Sequence, residues 1–179
     1  GYAEILEFWF TEPMRSHWFR STPQIDEQIR KRFEPVWQQA VDGRLVAWQQ
    51  SAQGCLALAI VLDQLPLNIY RGQARAFASE AQAIAVVLQA IAEGFDHQLP
   101  QERLAFLYMP LMHSENLAHQ DASVRLFEAA GLQSNARFAR HHHELIRRFG
   151  RFPHRNAILG RPSSPEELEY LASKEAFTG

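Results

Sequence analysis

Hydrophobic residues recur every three or four positions through most of the chain, and this spacing predicts α-helices. In the clearest segment, Ile29, Phe33 and Trp37 fall on one helical face. Thr22 is a suitable cap for this helix, and Pro23 suits the first helical position, where no N–H partner is needed. No alternation of apolar and polar residues extends beyond four positions, so the predicted fold class is all-α.

The same pattern predicts further helices, separated by glycines or prolines. Ser114 and Asn135 are the expected caps of two of them, and Ser164 with Glu167 forms the expected capping box of the last. Leu88, Leu117 and Leu168 are expected to face the core. The predicted helices cover about 2–10, 23–41, 54–62, 76–93, 100–112, 114–130, 135–149 and 164–171.

The run Cys55–Leu62 is apolar nearly all round, which indicates a central buried helix. It is shorter than the roughly 20 apolar residues that span a bilayer, so no membrane association is expected. Pro66 cannot donate to the carbonyl four residues earlier, and the helix is expected to kink or end there. The polar residues that follow the run need hydrogen-bond partners if they are buried. They are Asp63, Gln64 and Asn68.

Length and charge limit the kinds of partner. With 179 residues, the chain is expected to form a single all-α domain spanning 1–179. The net charge of −2 argues against nucleic-acid and membrane partners. Cys55 is the only cysteine, and the N-terminus does not read as a signal peptide, so we expect a cytoplasmic protein. The oligomeric state is left open.

Positive charge is concentrated in the stretch Arg147–Asn156, which also breaks a helix at Gly150. Only Lys31 and Lys174 are lysines, and the arginines that supply the remaining charge suit bidentate pairing with carboxylates or phosphates. One hypothesis is an anion pocket with Arg148, Arg151 and Arg155 as donors and His154 as a tunable donor. In the alternative, the arginines pair with acids and join the helices; the candidate acids are Asp63, Glu80, Glu102 and Glu115.

Histidines near carboxylates raise the question of a metal or a catalytic site. His113 and Glu115, or His142 and Glu144, are two positions apart, which places the side chains on different faces of a helix. We therefore expect no metal site and no cofactor. Ser114 lies beside His113, but adjacent residues rarely form a catalytic triad, and a glycine-rich phosphate loop is missing.

Four motifs and a short fifth one resemble a bacterial family, domain of unknown function 924. They are Ile5–Phe10, Leu62–Gly72, Leu107–Glu115 and Phe149–Asn156, with Leu159-Gly-Arg161. The resemblance covers almost the whole chain. It implies stacked antiparallel helical hairpins in a compact, tetratricopeptide-like superhelix, and it implies no activity. The family usually carries an arginine where Leu67 lies and an acidic residue where His119 lies. If that arginine belongs to a ligand site, the ligand of this chain is expected to differ.

Stacked helical hairpins place the residues after each helix on a shared concave surface. The preferred hypothesis is a binding module with a polar groove for a small anionic ligand or an acidic peptide. The alternatives are a hydrolase that uses His113 or His142 as general base, oriented by Glu115, and a partner-docking scaffold. The expected ligand-binding residues are Asp63, Gln64, Asn68, His113, Glu115, His142, Arg148, Arg151, His154 and Arg155.

Overall fold

The computed structural model describes residues 1–177, and this part of the chain contains helices and turns without a strand. The all-α prediction is confirmed. The α-helices are α1 (Tyr2–Phe10), α2 (Pro23–Val41), α3 (Ala52–Ala59), α4 (Leu65–Ile69), α5 (Glu80–Ala92), α6 (Gln101–Met112), α7 (Leu117–Ala129), α8 (Gln133–Phe149) and α9 (Pro165–Leu171).

The helices group into two compact units. The first contains residues 1–71 and 75–110, and the second contains 72–74 and the residues from 111 onward. The single domain and the tetratricopeptide-like superhelix stay predictions.

In the first unit, the buried run continues through Pro66 as a single helical path. A π-helical turn, Ile60–Gln64, connects α3 to α4, and Pro66 lies in the first turn of α4. The helical path therefore does not end at this proline, whereas the kink that was the other expected outcome stays a prediction. The wider turn changes the hydrogen-bond register just before the proline, so that the Leu65 N–H donates to the Ile60 carbonyl.

Pro66 has no N–H to donate to the Leu62 carbonyl, which accepts from a different donor. The Ser79 hydroxyl donates to the Leu62 carbonyl over 2.7 Å and accepts from the Trp37 indole N–H over 3.0 Å. Ser79 is fully buried. The predicted helix 76–93 is correspondingly wrong at its start, because a 3₁₀ turn (Ala74–Phe77) precedes α5 and leaves Ser79 free to make these contacts.

Gly54 allows a close approach between two segments of the first unit. A Cβ atom at this position would lie 1.8 Å from the carbonyl oxygen of Trp48, which belongs to the 3₁₀ turn Val46–Gln50. Only glycine fits against that turn. The helix α1 also packs on α3.

In the second unit, α7 and α8 form a helical hairpin through a turn at Gly131, whose positive φ suits glycine. Gly150 ends α8 in the same way, with φ 73°. α9 packs against the 3₁₀ turn Pro153–Arg155 that follows. The core here contains Leu145, Ile146, Phe152 and Tyr170.

Two of the predicted helix caps occur in the structure, and two do not. Thr22 caps α2, and Ser164 with Glu167 forms the capping box of α9, both as predicted. The cap of α7 is Asn116 rather than Ser114, and Asn135 lies inside α8.

Three leucines that were expected to face the core are exposed instead. They are Leu88, Leu117 and Leu168. Each lies at the margin of its helix's apolar stripe, where spacing alone does not determine burial.

One segment, Ala52–Ile69, is by length and composition able to cross a membrane, because the π-turn makes the apolar helix longer than the sequence indicated. The length of the apolar run therefore does not exclude a membrane span, contrary to the expectation from the sequence. In the structure, 89% of this segment is buried, which also occurs in the core helix of a soluble protein.

Candidate functional site

The predicted polar residues of the first unit contact other side chains of that unit. The Gln64 amide donates to Asp63 over 3.0 Å, and the Asn68 amide donates to Asp26 over 2.9 Å. Asp26 also accepts from Arg71, and the pKa of Asp26 is lowered by its hydrogen bonds although burial opposes them. The expectation that these buried polar groups need partners is thus met for Gln64 and Asn68.

Glu115 connects three parts of the second unit. Its carboxylate accepts from the Phe152 backbone N–H over 2.6 Å and from both Nη atoms of Arg161 over 2.9 and 3.1 Å. Burial raises the pKa of Glu115, but these bonds and the charge of Arg155 lower it overall. Glu115 therefore fixes the arginine-rich turn, as we call the stretch Arg147–Asn156, at Phe152.

Arg161 was not among the predicted site residues, although it lies in the short motif after that turn. Its guanidinium also donates to Asn156 Oδ1 over 3.0 Å and to the Phe152 carbonyl over 3.2 Å. The sequence feature that could have identified Arg161 as a site residue was its place in the motif Leu159-Gly-Arg161.

Arg151 forms a bidentate pair with Glu167 of α9, with distances of 2.9 and 2.7 Å. Asn156 donates to the same carboxylate over 3.2 Å. The side chain of Glu167 is only 4% exposed, and Arg151, followed by the Ser164 N–H and Asn156, lowers its pKa to about 2. Hydrogen bonds thus connect five groups, which are Glu115, Arg161, Asn156, Glu167 and Arg151.

The hypothesis that arginines join the helices is supported for this turn, where one of the two acids, Glu115, is a predicted candidate. Glu115 pairs with Arg161, and Arg151 pairs with Glu167, which was not among the candidates. Glu102 pairs with Arg15 in the first unit. Sequence spacing could not assign these partners, because each pair joins residues far apart in the chain.

The other two arginines of the anion-pocket hypothesis have different surroundings. Arg155 is buried, donates to the His113 carbonyl over 2.8 Å and lies with its guanidinium 4.8 Å from the Phe152 ring. Arg148 is exposed and stacks on Phe149 at 4.6 Å. No ion pair of Arg148 occurs within residues 1–177.

His142 is buried, and its Nδ1–H donates to the Phe138 carbonyl over 2.8 Å. Burial and then the charge of His113 lower the pKa of His142 to about 3, so the ring is neutral at pH 7. The ring centres of His113 and His142 are 6.3 Å apart. A base with this pKa accepts a proton weakly and Glu115 is engaged by Arg161, so His142 is not favoured as the general base of a hydrolase. The alternative with His113 as the base stays a prediction.

His154 completes a cluster of rings in the second unit. Its ring centre lies 5.7 Å from Phe152, which in turn lies 5.4 Å from His142. Burial and then the charge of Arg155 lower the pKa of His154 to about 4. Its Nδ1 atom is buried and has no hydrogen-bond partner in the part of the chain that the structure describes. We call His142, Phe152 and His154 the histidine–aromatic cluster.

The described residues contain no group of three or more His, Cys, Asp or Glu side chains that could hold a metal ion. The predicted groove combines residues of both units, so it stays a prediction. What the structure brings together is most of the second-unit part of it, without the exposed Arg148 and with Arg161 and Glu167 added. These predicted residues are His113, Glu115, His142, Arg151, His154 and Arg155.

Comparison with known proteins identifies a family and a structural relative. The model of a family described as bacterial protein of unknown function, DUF924, matches residues 5–175. A solved structure of a protein of unknown function from Agrobacterium tumefaciens is similar to this chain, with a TM-score of 0.90 and 34% sequence identity. The match covers 96% of each chain. No curated protein matches the chain. The chain therefore belongs to the bacterial family of unknown function DUF924.

Proposed function

We propose that the chain is a binding module for a small anionic ligand or an acidic peptide, and that His154 binds the acidic group. The observation that carries this proposal is the buried Nδ1 of His154, which has no hydrogen-bond partner among residues 1–177. A buried polar nitrogen without a partner costs about 1–3 kcal/mol. A carboxylate or phosphate oxygen is a partner for that nitrogen in its N–H form.

The charges around His154 also favour an anion. Arg155 and Arg161 both lower the pKa of His154, which means that each places positive potential at the ring. Glu115 acts in the opposite direction, but its carboxylate is held by Arg161. An anion next to the ring would be attracted by the arginines and would raise the pKa of His154.

The remaining residues of the arginine-rich turn have supporting roles in this proposal. Arg151 holds the turn against α9 through Glu167, and Arg155 orders it through the His113 carbonyl. Arg148 offers an exposed guanidinium on the Phe149 ring for a second acidic group of a longer ligand. Asp63, Gln64 and Asn68 have no assigned role at His154.

Thermal unfolding in the presence of small acids tests the proposal. The probes are inorganic phosphate, acetate, glutarate and citrate, with the wild-type chain, His154→Gln and the matched control His97→Gln, whose histidine is exposed in the first unit. A ligand at 100 times its Kd stabilises the folded form by about 2.7 kcal/mol. We expect an acid that raises the Tm of the wild type and of H97Q but leaves the Tm of H154Q unchanged. Equal Tm shifts in H154Q and the wild type would overturn the proposal. It would also be overturned if neither these acids nor the acidic peptide acetyl-Glu-Ala-Phe-Thr-Gly shifted the Tm.

A further inference from the structure

The segment Glu175–Phe177 lies against the histidine–aromatic cluster. The Phe177 ring is 4.7 Å from the ring of His142 and 5.1 Å from that of His154, so it contacts both histidines. Ala176 packs against the core of the second unit. Residues 176 and 177 belong to neither a helix nor a strand.

The main chain of this segment is also bound. The Phe177 N–H donates to the Tyr170 hydroxyl over 2.8 Å, and the Tyr170 hydroxyl lies 3.5 Å from the Glu175 carbonyl oxygen. His141 Nε2 lies 3.1 Å from the same hydroxyl. One buried tyrosine thus holds two peptide groups of the segment, while Ala176 and Phe177 supply the apolar contacts.

These contacts are of the kind by which proteins bind extended peptides, where main-chain hydrogen bonds hold the backbone and side-chain pockets select the sequence. We propose that the histidine–aromatic cluster with Tyr170 is a docking site for an acidic peptide that carries a small residue followed by an aromatic one, and that Glu175–Phe177 occupies it as an intramolecular ligand. The inference rests on the proposed function and names its ligand class.

The sequence of the segment supports this ligand class. Glu175 precedes Ala176 and Phe177, so the segment combines an acidic residue, a small one and an aromatic one. Phe177 covers the two histidines, one of which carries the buried nitrogen without a partner. A peptide from another molecule that offers the same aromatic group can take the place of Phe177 only when the intramolecular segment leaves.

Competition by the intramolecular segment determines the expected affinities. A tethered ligand acts at a high effective concentration, so the intramolecular segment occupies the site most of the time. The apparent affinity for an external ligand is reduced in proportion to the fraction of time for which the site is open. The wild-type chain should therefore bind an external peptide weakly. Removing the Phe177 ring should open the site without changing the residues that form it.

The test uses the full chain and a fluorescein-labelled peptide, acetyl-Glu-Ala-Phe-Thr-Gly, with fluorescence anisotropy as readout. The proteins are the wild type, Phe177→Ala and the matched control Phe19→Ala, whose ring is 77% exposed in the first unit. We expect F177A to bind the peptide at least about tenfold more tightly than the wild type and F19A. Equal affinities for F177A and F19A would overturn the inference.

Two altered peptides separate this inference from the proposed function. A peptide with alanine in place of phenylalanine should lose binding to F177A, and if it binds equally well, the docking site is refuted. A peptide with glutamine in place of glutamate tests the acidic group. If this neutral peptide binds as tightly as the acidic one, the requirement for an anion fails while the aromatic docking site survives.

A second measurement needs no variant and covers the case in which F177A does not fold. Trypsin cleaves after Lys174, which is exposed, and mass spectrometry follows the loss of residues 175–179. If the segment exchanges with external peptide, adding the unlabelled peptide, which contains no lysine or arginine, should speed this cleavage several-fold in the wild type. A cleavage rate that does not depend on the peptide would contradict the inference.

Discussion

Replacing Glu167 by glutamine should destabilise the chain by an amount that depends on pH. Glu167 accepts from Arg151, from the Ser164 N–H and from Asn156, and its side chain is 4% exposed. Glutamine keeps nearly the same shape but removes the charge that Arg151 faces. The substitution therefore measures how much this ion pair stabilises the second unit.

The pKa of Glu167 gives the expected magnitude. Its value falls from 4.5 to about 2, chiefly through the Arg151 hydrogen bonds. At 1.36 kcal/mol for each pKa unit, the charged form contributes about 3 kcal/mol to the free energy of unfolding. Because the folded-state pKa is lowered, this contribution is complete above the unfolded-state pKa of 4.5. It decreases as the pH falls from 4.5 towards 2, where Glu167 becomes protonated in the folded state.

Urea unfolding followed by circular dichroism provides the assay, with Glu166→Gln as the control. Glu166 is the exposed neighbour of Glu167 in the same helical turn. At pH 7, we expect E167Q to lose about 3 kcal/mol relative to the wild type, and E166Q to lose less than about 0.5 kcal/mol. The difference between the wild type and E167Q should shrink between pH 4.5 and 2. If E167Q matches E166Q at pH 7, or if the difference is constant with pH, the ion pair does not stabilise the turn as argued.

Three further predictions concern the first unit. Gly54→Ala should destabilise it by about 3 kcal/mol in urea unfolding, because the new Cβ would collide with the Trp48 carbonyl; a stabilised variant, as in an ordinary helix, would contradict the observed close approach. Ser79→Ala should cost about 1–3 kcal/mol, because the Leu62 carbonyl loses its donor, whereas an unchanged midpoint would mean that this carbonyl has another partner. Burial raises the pKa of Cys55 to about 11, so this thiol should not react with a disulfide reagent at pH 8 until urea unfolds the chain. Fast labelling of the folded chain would refute the burial of Cys55.

The fold class was predictable because helical spacing of apolar residues is a local property. The helix from Thr22 to Val41 and the capping box at Ser164 follow from patterns only a few residues long, and both were predicted correctly. The continuation of the helix through Pro66 was not predictable from such patterns. It depends on Ser79, which donates to the Leu62 carbonyl and is 17 residues from Leu62 in sequence. A proline removes a donor locally, but the replacement comes from tertiary contacts that the local pattern does not contain.

The candidate site was less predictable than the fold class, because its contacts join residues that are distant in sequence. The arginine-rich stretch indicated where cations gather, and Arg151, His154 and Arg155 do lie in one turn with neighbouring polar contacts. Glu167 as the partner of Arg151 depends on how α9 folds back 16 residues later. The contact of Phe177 with the histidines had no sequence signal, since a lone aromatic residue after a helix has no periodic pattern.

The two hypotheses for the arginine-rich turn, a structural clasp and a binding site, are not exclusive in this geometry. Glu115 binds the Phe152 N–H and Glu167 accepts from Asn156, so residues on both sides of Pro153 are fixed by ion-paired carboxylates. His154 lies between these fixed points, and its ring packs against the rings of Phe152 and Phe177. Paired arginines thus order the turn, and Nδ1 of His154 has no hydrogen-bond partner among residues 1–177. If this division of roles is correct, loss of the Arg151–Glu167 pair should weaken binding at His154 indirectly, through a looser turn, rather than by removing a ligand contact.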